Sequence, residues 1–258
     1  MTRLLICKEK KETIDGREHI VIKQKKYTVE RLDKDFQTTY GIIPKEELKK
    51  ESGSKVKTKT GKEFIILDLD YIDQYKELKK LPQTIPLKDI GLIIGETGIN
   101  KNSKTVDAGL GSAALTIALA NICKKVTAYE IREDFIKQAK ENIDRTGLKN
   151  ITIKHKDITK GMTEKEIDLV TLDLPEPWQV VEHAAKALRV GGWVVSYSPS
   201  IPQVQEFVET INKDERLFLI KTVEVIERLW EVKGRKVRPK SISIGHSGFM
   251  TFARKILR

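Results

Sequence analysis

Thr105-Val106-Asp107-Ala108-Gly109-Leu110-Gly111-Ser112-Ala113-Ala114 passes from a β-branched stretch through two glycines into an alanine-rich apolar run. It reads as a strand, a tight turn and the opening of a helix. Gly109 and Gly111 let the backbone turn sharply and approach a ligand with no Cβ in the way. Glu130 lies 21 residues after Gly109 and ends the next apolar run, Val126-Thr127-Ala128-Tyr129. An acid there can accept hydrogen bonds from both hydroxyls of a ribose. Asp157, after a third run Ile151-Thr152-Ile153, is a candidate acceptor for an adenine amino group. All three positions fall at the carboxyl ends of successive strands, where open α/β sheets hold ligands. Read structurally, the same residues are a tight turn and two surface acids. Gly109-x-Gly111-x-x-Ala114 also fits the GxGxxG/A dinucleotide pattern, so NAD stays a candidate on spacing alone.

Working outward, two further strands are expected at Leu169 to Leu174 and Trp193 to Tyr197. Helical stretches near 112–122, 133–146, 178–188 and 202–212 alternate with the strands. Such alternation predicts a mostly parallel sheet covered on both faces. Two β-like runs, 217–227 and 247–256, add antiparallel strands at one edge. Upstream the rhythm differs. Short runs at Leu4 to Cys7, His19 to Ile22 and Phe64 to Leu67 are separated by turn-like Ile14-Asp15-Gly16, Ser52-Gly53-Ser54 and Thr60-Gly61-Lys62. A charged, helical connector, Tyr71 to Lys80, leads toward Pro82 and Pro86. The expected fold is a doubly wound, Rossmann-like α/β domain over residues 76–258, preceded by a small β-rich domain over residues 1–75.

The chain has 258 residues, 39% of them hydrophobic, which is enough for a real core. No run approaches the roughly 18 apolar residues a membrane span needs. The apolar patch near Leu4 is too short for a secretory signal. Cys7 and Cys123 allow at most one disulfide, and no spacing suggests a metal site. The chain therefore reads as a soluble cytoplasmic protein. Its net charge of +11 is unevenly placed: residues 1–63 carry +6, residues 64–227 carry −3 and residues 228–258 carry +8. Basic ends suit a polyanion such as nucleic acid, because neutralised phosphates release counterions. Ordinary solubility in a Lys/Glu-rich protein is the plainer reading.

The fourth strand, read as Asp168 to Asp173, is apolar until it ends in Asp173-Leu174-Pro175-Glu176-Pro177-Trp178. Two prolines fix the chain as it leaves the sheet. An acid at the end of a buried strand is costly unless it has a partner or a task. Asp173 is thus a candidate functional carboxylate, with helix capping as its structural alternative. Trp178 either stacks on a base or fills the space between sheet and helix.

At these residues the chain resembles the tRNA (adenine-N1)-methyltransferases, class I S-adenosylmethionine-dependent enzymes that modify a T-loop adenine (position 58, in some cases also 57). The resemblance rests on Asp107 to Ser112, Tyr129-Glu130-Ile131-Arg132, Asp173 to Trp178, Val181 to Leu188 and Val190-Gly191-Gly192. Near the end, Arg238-Pro239 and Gly245-His246-Ser247-Gly248-Phe249 to Lys255 look like the family's closing motif. The match begins at about Gln83 and covers the rest of the chain. The resemblance implies that Gln83, Asp107, Gly109, Leu110, Gly111, Ser112, Ala113, Ala114, Leu115 and Glu130 hold the methionine and ribose parts of S-adenosylmethionine. Asp157 and Ile158 would hold its adenine, and Asp173 would touch both cofactor and target base. It also implies a tRNA partner, a homotetramer and no metal. Two departures stand out. Gly111-Ser112-Ala113 replaces the family's frequent Gly-Ser-Gly, and Pro86-Leu87-Lys88-Asp89 replaces its Tyr-Pro-Lys-Asp, removing a tyrosine that would stack on base or cofactor.

On that resemblance Asp173 is the catalytic residue, its carboxylate stabilising the charge that develops on an adenine methylated at N1. Trp178, Arg238 and His246 would contact the RNA, with His246 as a general base the lesser alternative. Two other functions compete. Another class I methyltransferase, such as a protein isoaspartate O-methyltransferase, needs neither the basic C-terminal region nor Asp173-Leu174-Pro175. A non-catalytic tRNA-binding subunit is disfavoured by the intact glycine turn, Glu130 and Asp173.

Overall fold

The computed structural model describes residues 2–258 except Gly16, Pro82, Gln83, Ser243 and the side chain of Arg17. The chain divides into two compact units, Met1–Glu77 and Leu78–Arg258.

The first unit comprises β1 (Arg3–Cys7), β2 (Lys10–Ile14), β3 (Arg17–Ile22), β4 (Lys25–Val29), β5 (Phe36–Thr38), β6 (Gly41–Ile43), β7 (Lys55–Lys57), β8 (Glu63–Asp68) and helix α1 (Tyr71–Glu77). Four strands form an antiparallel sheet in the order β4-β1-β8-β7, while β2–β3 and β5–β6 are hairpins. Period-two burial drives the sheet: in β8, Phe64 and Ile66 point inward onto Leu5, Val29, Ile43 and Leu48. The strands at β2, β4 and β7 are lysine-rich and short, so no apolar run announced them.

The second unit comprises α2 (Leu87–Thr97), β9 (Lys104–Ala108), α3 (Ala114–Ala120), β10 (Lys125–Glu130), α4 (Glu133–Thr146), β11 (Ile151–His155), β12 (Ile167–Leu172), α5 (Val181–Ala187), β13 (Leu188–Ser198), α6 (Ile201–Lys213), β14 (Leu217–Val223), β15 (Trp230–Lys233), β16 (Lys236–Pro239) and β17 (Phe249–Lys255). Seven strands make one mixed sheet in the order β11-β10-β9-β12-β13-β17-β14. The first five run parallel, and β17 lies antiparallel between β13 and β14. This is the doubly wound fold the strand–helix rhythm predicted. Val106, Val170, Leu172 and Val194 pack beneath α5 and α6 through Ala184, Phe207 and Ile211.

Sequence order reverses between β9 and β12, so the chain leaves these adjacent strands in opposite directions and opens a crevice at their carboxyl ends. Several boundaries differ from the sequence reading. The fourth strand stops at Leu172, because Pro175 and Pro177 cannot extend the ladder. The helix expected near 178–188 is a 3₁₀ turn, Pro177–Val180, followed by α5. The edge run 217–227 ends at Val223, and the β15–β16 hairpin that follows was not foreseen. Among the described residues no helix is long and apolar enough to cross a membrane.

Candidate active site

The glycine turn is built by backbone crowding. Gly109 has φ +88°, and a Cβ there would lie 2.0 Å from the Asp173 carbonyl oxygen. The Asp173 amide donates to Ala108 O at 2.8 Å, which draws the two strand ends together. Only glycine allows this approach, so one residue sets the distance between turn and acid. Ala113, at the start of α3, has φ +65°, the left-handed conformation that glycine adopts without cost. Here the chain carries alanine where the resembling family often has glycine.

Three carboxylates converge around this turn, each from a different strand end. Asp107 is buried; its Oδ2 accepts from Thr116 Oγ1 at 2.5 Å and its Oδ1 from Thr171 Oγ1 at 2.7 Å. Burial, opposed by those hydroxyls and aided by the charge of Glu130, pushes its carboxyl up to about 6. Glu130 is held by the backbone: Oε1 accepts from the amides of Ile131 and Arg132, and Oε2 from Gly111 at 3.2 Å. Asp173 forms the floor of the cleft, partly open to it yet closely surrounded by protein. Burial first, then the charges of Asp107 and Glu130, push it up to about 7. Three acids in one crevice, two of them with raised pKa, make it a site for a cationic or hydrogen-bond-donating ligand.

The main cleft has a volume of about 630 Å³ and brings together Asp107, Gly109, Leu110, Gly111, Ser112, Ala114, Leu115, Glu130 and Asp173. An adjoining recess of about 250 Å³ is lined by Asp157 and Ile158 and shares Gly109, Glu130, Ile131, Leu174 and Pro175 with it. Their joint size suits a ligand of nucleoside dimensions. Asp157 Oδ1 accepts from the Thr159 amide and hydroxyl, which lowers its pKa and leaves Oδ2 for the recess. His183 Nε2 meets Thr159 O at 2.9 Å and steadies the same turn.

Other predicted residues lie elsewhere. Gln83 falls outside the described residues. Ala113 is buried behind the cleft. Trp178 sits half-buried in the 3₁₀ turn and does not line the cleft. Arg238 is exposed on the β15–β16 hairpin, its Nε 3.7 Å from Glu231. His246 reaches the rim indirectly: Nε2 bonds Pro199 O at 3.0 Å, and Pro199 lines the cleft. Its Nδ1 bonds Glu224 Oε1 at 2.5 Å, and these two acceptors raise its pKa.

Several contributors were not read from the sequence. Thr116 and Thr171 orient Asp107, and their signal was a lone hydroxyl inside an otherwise apolar helix and strand. Gln203 holds Pro175 through a 2.9 Å bond to its carbonyl, and Ser200 donates to Gln203 in turn. Ile131 is 63% exposed where it lines the cleft.

Comparison with known proteins agrees with this geometry. The family model described as "tRNA methyltransferase complex GCD14 subunit" matches residues 76–247. The chain is 35% identical to the tRNA (adenine(57)-N(1)/adenine(58)-N(1))-methyltransferase TrmI of Methanocaldococcus jannaschii, covering 89% of this chain and 91% of that protein. A SAM-dependent O-methyltransferase structure from Thermotoga maritima superposes with a TM-score of 0.80 at 30% identity, over 99% of this chain and 93% of that one. The structure of tRNA (m1A58) methyltransferase TrmI from Aquifex aeolicus gives a TM-score of 0.77 at 22% identity, over 100% and 98% of the two chains, which supports the fold. With the family model spanning the glycine turn, Glu130, Asp173 and the start of the closing motif, the chain belongs to the tRNA (adenine-N1)-methyltransferase family.

Proposed function

We propose that this protein transfers a methyl group from S-adenosylmethionine to N1 of a T-loop adenine in tRNA, at position 58 and, as in the archaeal relative's name, also at 57. The observation that carries this is the convergence of Asp107, Glu130 and Asp173 on one glycine turn, in a chain of that family. The residues fit the cofactor. Three acids face a ligand bearing positive charge, Glu130 keeps acceptor capacity for a ribose, and Asp157 Oδ2 is left to accept from an adenine amino group. When bound, S-adenosylmethionine supplies an electrophilic methyl group on a sulfonium.

The chain's own work is binding and positioning. Gly109 to Leu115 and Glu130 hold one part of the cofactor, while Asp157 and Ile158 hold another. Asp173, on the cleft floor, accepts a hydrogen bond from the exocyclic amino group of the target adenine. As N1 takes the methyl group, positive charge spreads onto that amino group, and an anionic Asp173 stabilises it. Its raised pKa also lets Asp173 take up the proton afterwards. Orienting the in-line attack supplies the remaining acceleration. Trp178, Arg238 and His246 act at or near the RNA, with His246 shaping the rim through Pro199. We further propose a cytoplasmic homotetramer, which sedimentation at working concentration tests.

Incubating unmodified tRNA with enzyme and S-adenosylmethionine, followed by nucleoside mass spectrometry, tests the function. 1-Methyladenosine in the T-loop is expected. The Thermotoga neighbour, described as an O-methyltransferase, favours a second reading, transfer to an oxygen acceptor. Turnover only on an oxygen-bearing acceptor, with tRNA left unmodified, would replace the first reading with that one.

A further inference from the structure

Between β14 and β17 the chain makes an excursion, residues 226–245, that carries the β15–β16 hairpin. In this ribbon Trp230 pairs with Pro239 and Val232 with Val237, yet Trp230, Val232 and Val237 are 55%, 73% and 59% exposed. It has no core of its own, and an isolated two-stranded ribbon is marginally stable. What directs it must lie at its two stems.

Both stems meet one buried cluster. Lys88 Nζ donates to Asp89 Oδ1 at 2.7 Å, to Val225 O at 2.7 Å and to Ser247 Oγ at 2.6 Å. Ser247 Oγ donates to Asp89 Oδ2 at 2.8 Å, and the Tyr197 hydroxyl donates to the same oxygen at 3.1 Å. Asp89 is fully buried. All three ammonium protons and both carboxylate oxygens are therefore used, which is what a buried ion pair needs to be tolerated. Val225 opens the excursion and Ser247 closes it, so one ammonium ties both ends to the first turn of α2. A second tie, Glu224 to His246, lies beside it, and Pro199, the other partner of His246, lines the cleft. Gly248 completes the seat: a Cβ there would lie 2.5 Å from the Tyr197 ring.

We infer that Lys88, Asp89 and Ser247 are positioning residues that fix a basic RNA-contacting arm, residues 226–245, relative to the catalytic cleft. This rests on the tRNA reading above. The arm carries Arg228, Lys233, Arg235, Lys236, Arg238 and Lys240 against two acids, Glu227 and Glu231. Phosphate contacts set the register of a nucleic acid on a protein, so an arm with a fixed root presents the substrate at a fixed distance from Asp173.

The test uses Ser247→Ala, which removes the bridge but leaves Lys88 and Asp89 paired, with Ser247→Thr as the conservative rescue and Lys88→Met as the severe case. In Ser247→Ala, hydrogen exchange across 226–242 should quicken about tenfold in the free protein. KM for tRNA should rise about tenfold, with kcat changed less than about threefold and cofactor affinity by calorimetry unchanged. Ser247→Thr should restore both. Unchanged exchange and unchanged KM in Ser247→Ala would overturn the inference, as would cofactor affinity falling in step with KM. A wild-type protein that left tRNA unmethylated would sink the functional reading instead, while exchange in the free protein would still report on the clasp.

Discussion

Asp173 combines demands that ordinarily conflict: it follows a buried strand and lies near two other acids, while the role proposed for it needs an anion when charge develops on the substrate. Asp173→Asn keeps the shape and removes the anion. Single-turnover methyl transfer should drop about 10²–10³-fold, the usual loss of one preorganised electrostatic partner. tRNA affinity should hold, because phosphate contacts dominate it; a rate within about threefold of wild type would exclude the assignment. The same variant reports on stability. A carboxyl raised to about 7 stabilises the fold fully below its ordinary value and loses that contribution as pH rises through 7. Asp173→Asn should therefore raise the unfolding free energy more at pH 8 than at pH 5, by about 2 kcal/mol once the open cleft is allowed for, as denaturant titration at the two pH values would read. Glu130→Ala should lose the ribose contacts and leave the Gly111 amide unpaired, weakening cofactor binding by about 1.5–3 kcal/mol per charge-assisted bond. Equal calorimetric affinity of mutant and wild type would refute the ribose role. Ala113 offers the opposite case. Its left-handed backbone predicts that Ala113→Gly stabilises the protein by about 1 kcal/mol, read as a rise of roughly 2–4 °C in Tm.

At the scale of elements, the segment 245–248 links α2, β13 and the stem of the C-terminal excursion. His246 is its titratable member. Both ring nitrogens face acceptors, Glu224 and the Pro199 carbonyl, and these raise its pKa above the ordinary imidazole value. The sign follows: this tie is fully present below about pH 6.5 and is lost as pH rises through the elevated value. Limited proteolysis between 226 and 245 should accelerate toward alkaline pH in wild type, beyond any change in a Glu224→Gln control. A parallel pH response in both proteins would show that the tie does not secure the stem.

The whole molecule has its positive charge at the ends of the sequence and a slightly acidic middle that holds the cleft. On the proposed function, the acidic middle would serve the cofactor and the basic C-terminal region the RNA. Charge reversal at Lys233, Arg235, Lys236 and Arg238 should weaken tRNA binding and flatten its salt dependence, leaving cofactor binding intact. An unchanged slope of affinity against salt would place the RNA elsewhere.

Local chemistry written in the residue order was enough to determine the doubly wound sheet, the glycine turn and the acids at its edge. Gly109, Glu130, Asp157 and Asp173 follow strands whose period and apolar character are visible residue by residue, and strand ends are where such sheets hold ligands. Lysine-rich strands such as β4 and β7 stayed hidden, since their burial is set by the partner strand rather than by their own pattern. Which neighbours each functional group meets was decided only by tertiary structure. Thr116 and Thr171 reach Asp107 from a helix and a strand that the sequence separates, and Lys88 finds Ser247 across 159 positions. Hydrogen bonds between distant segments leave no periodic trace, because their geometry exists only after the sheet has brought those segments together.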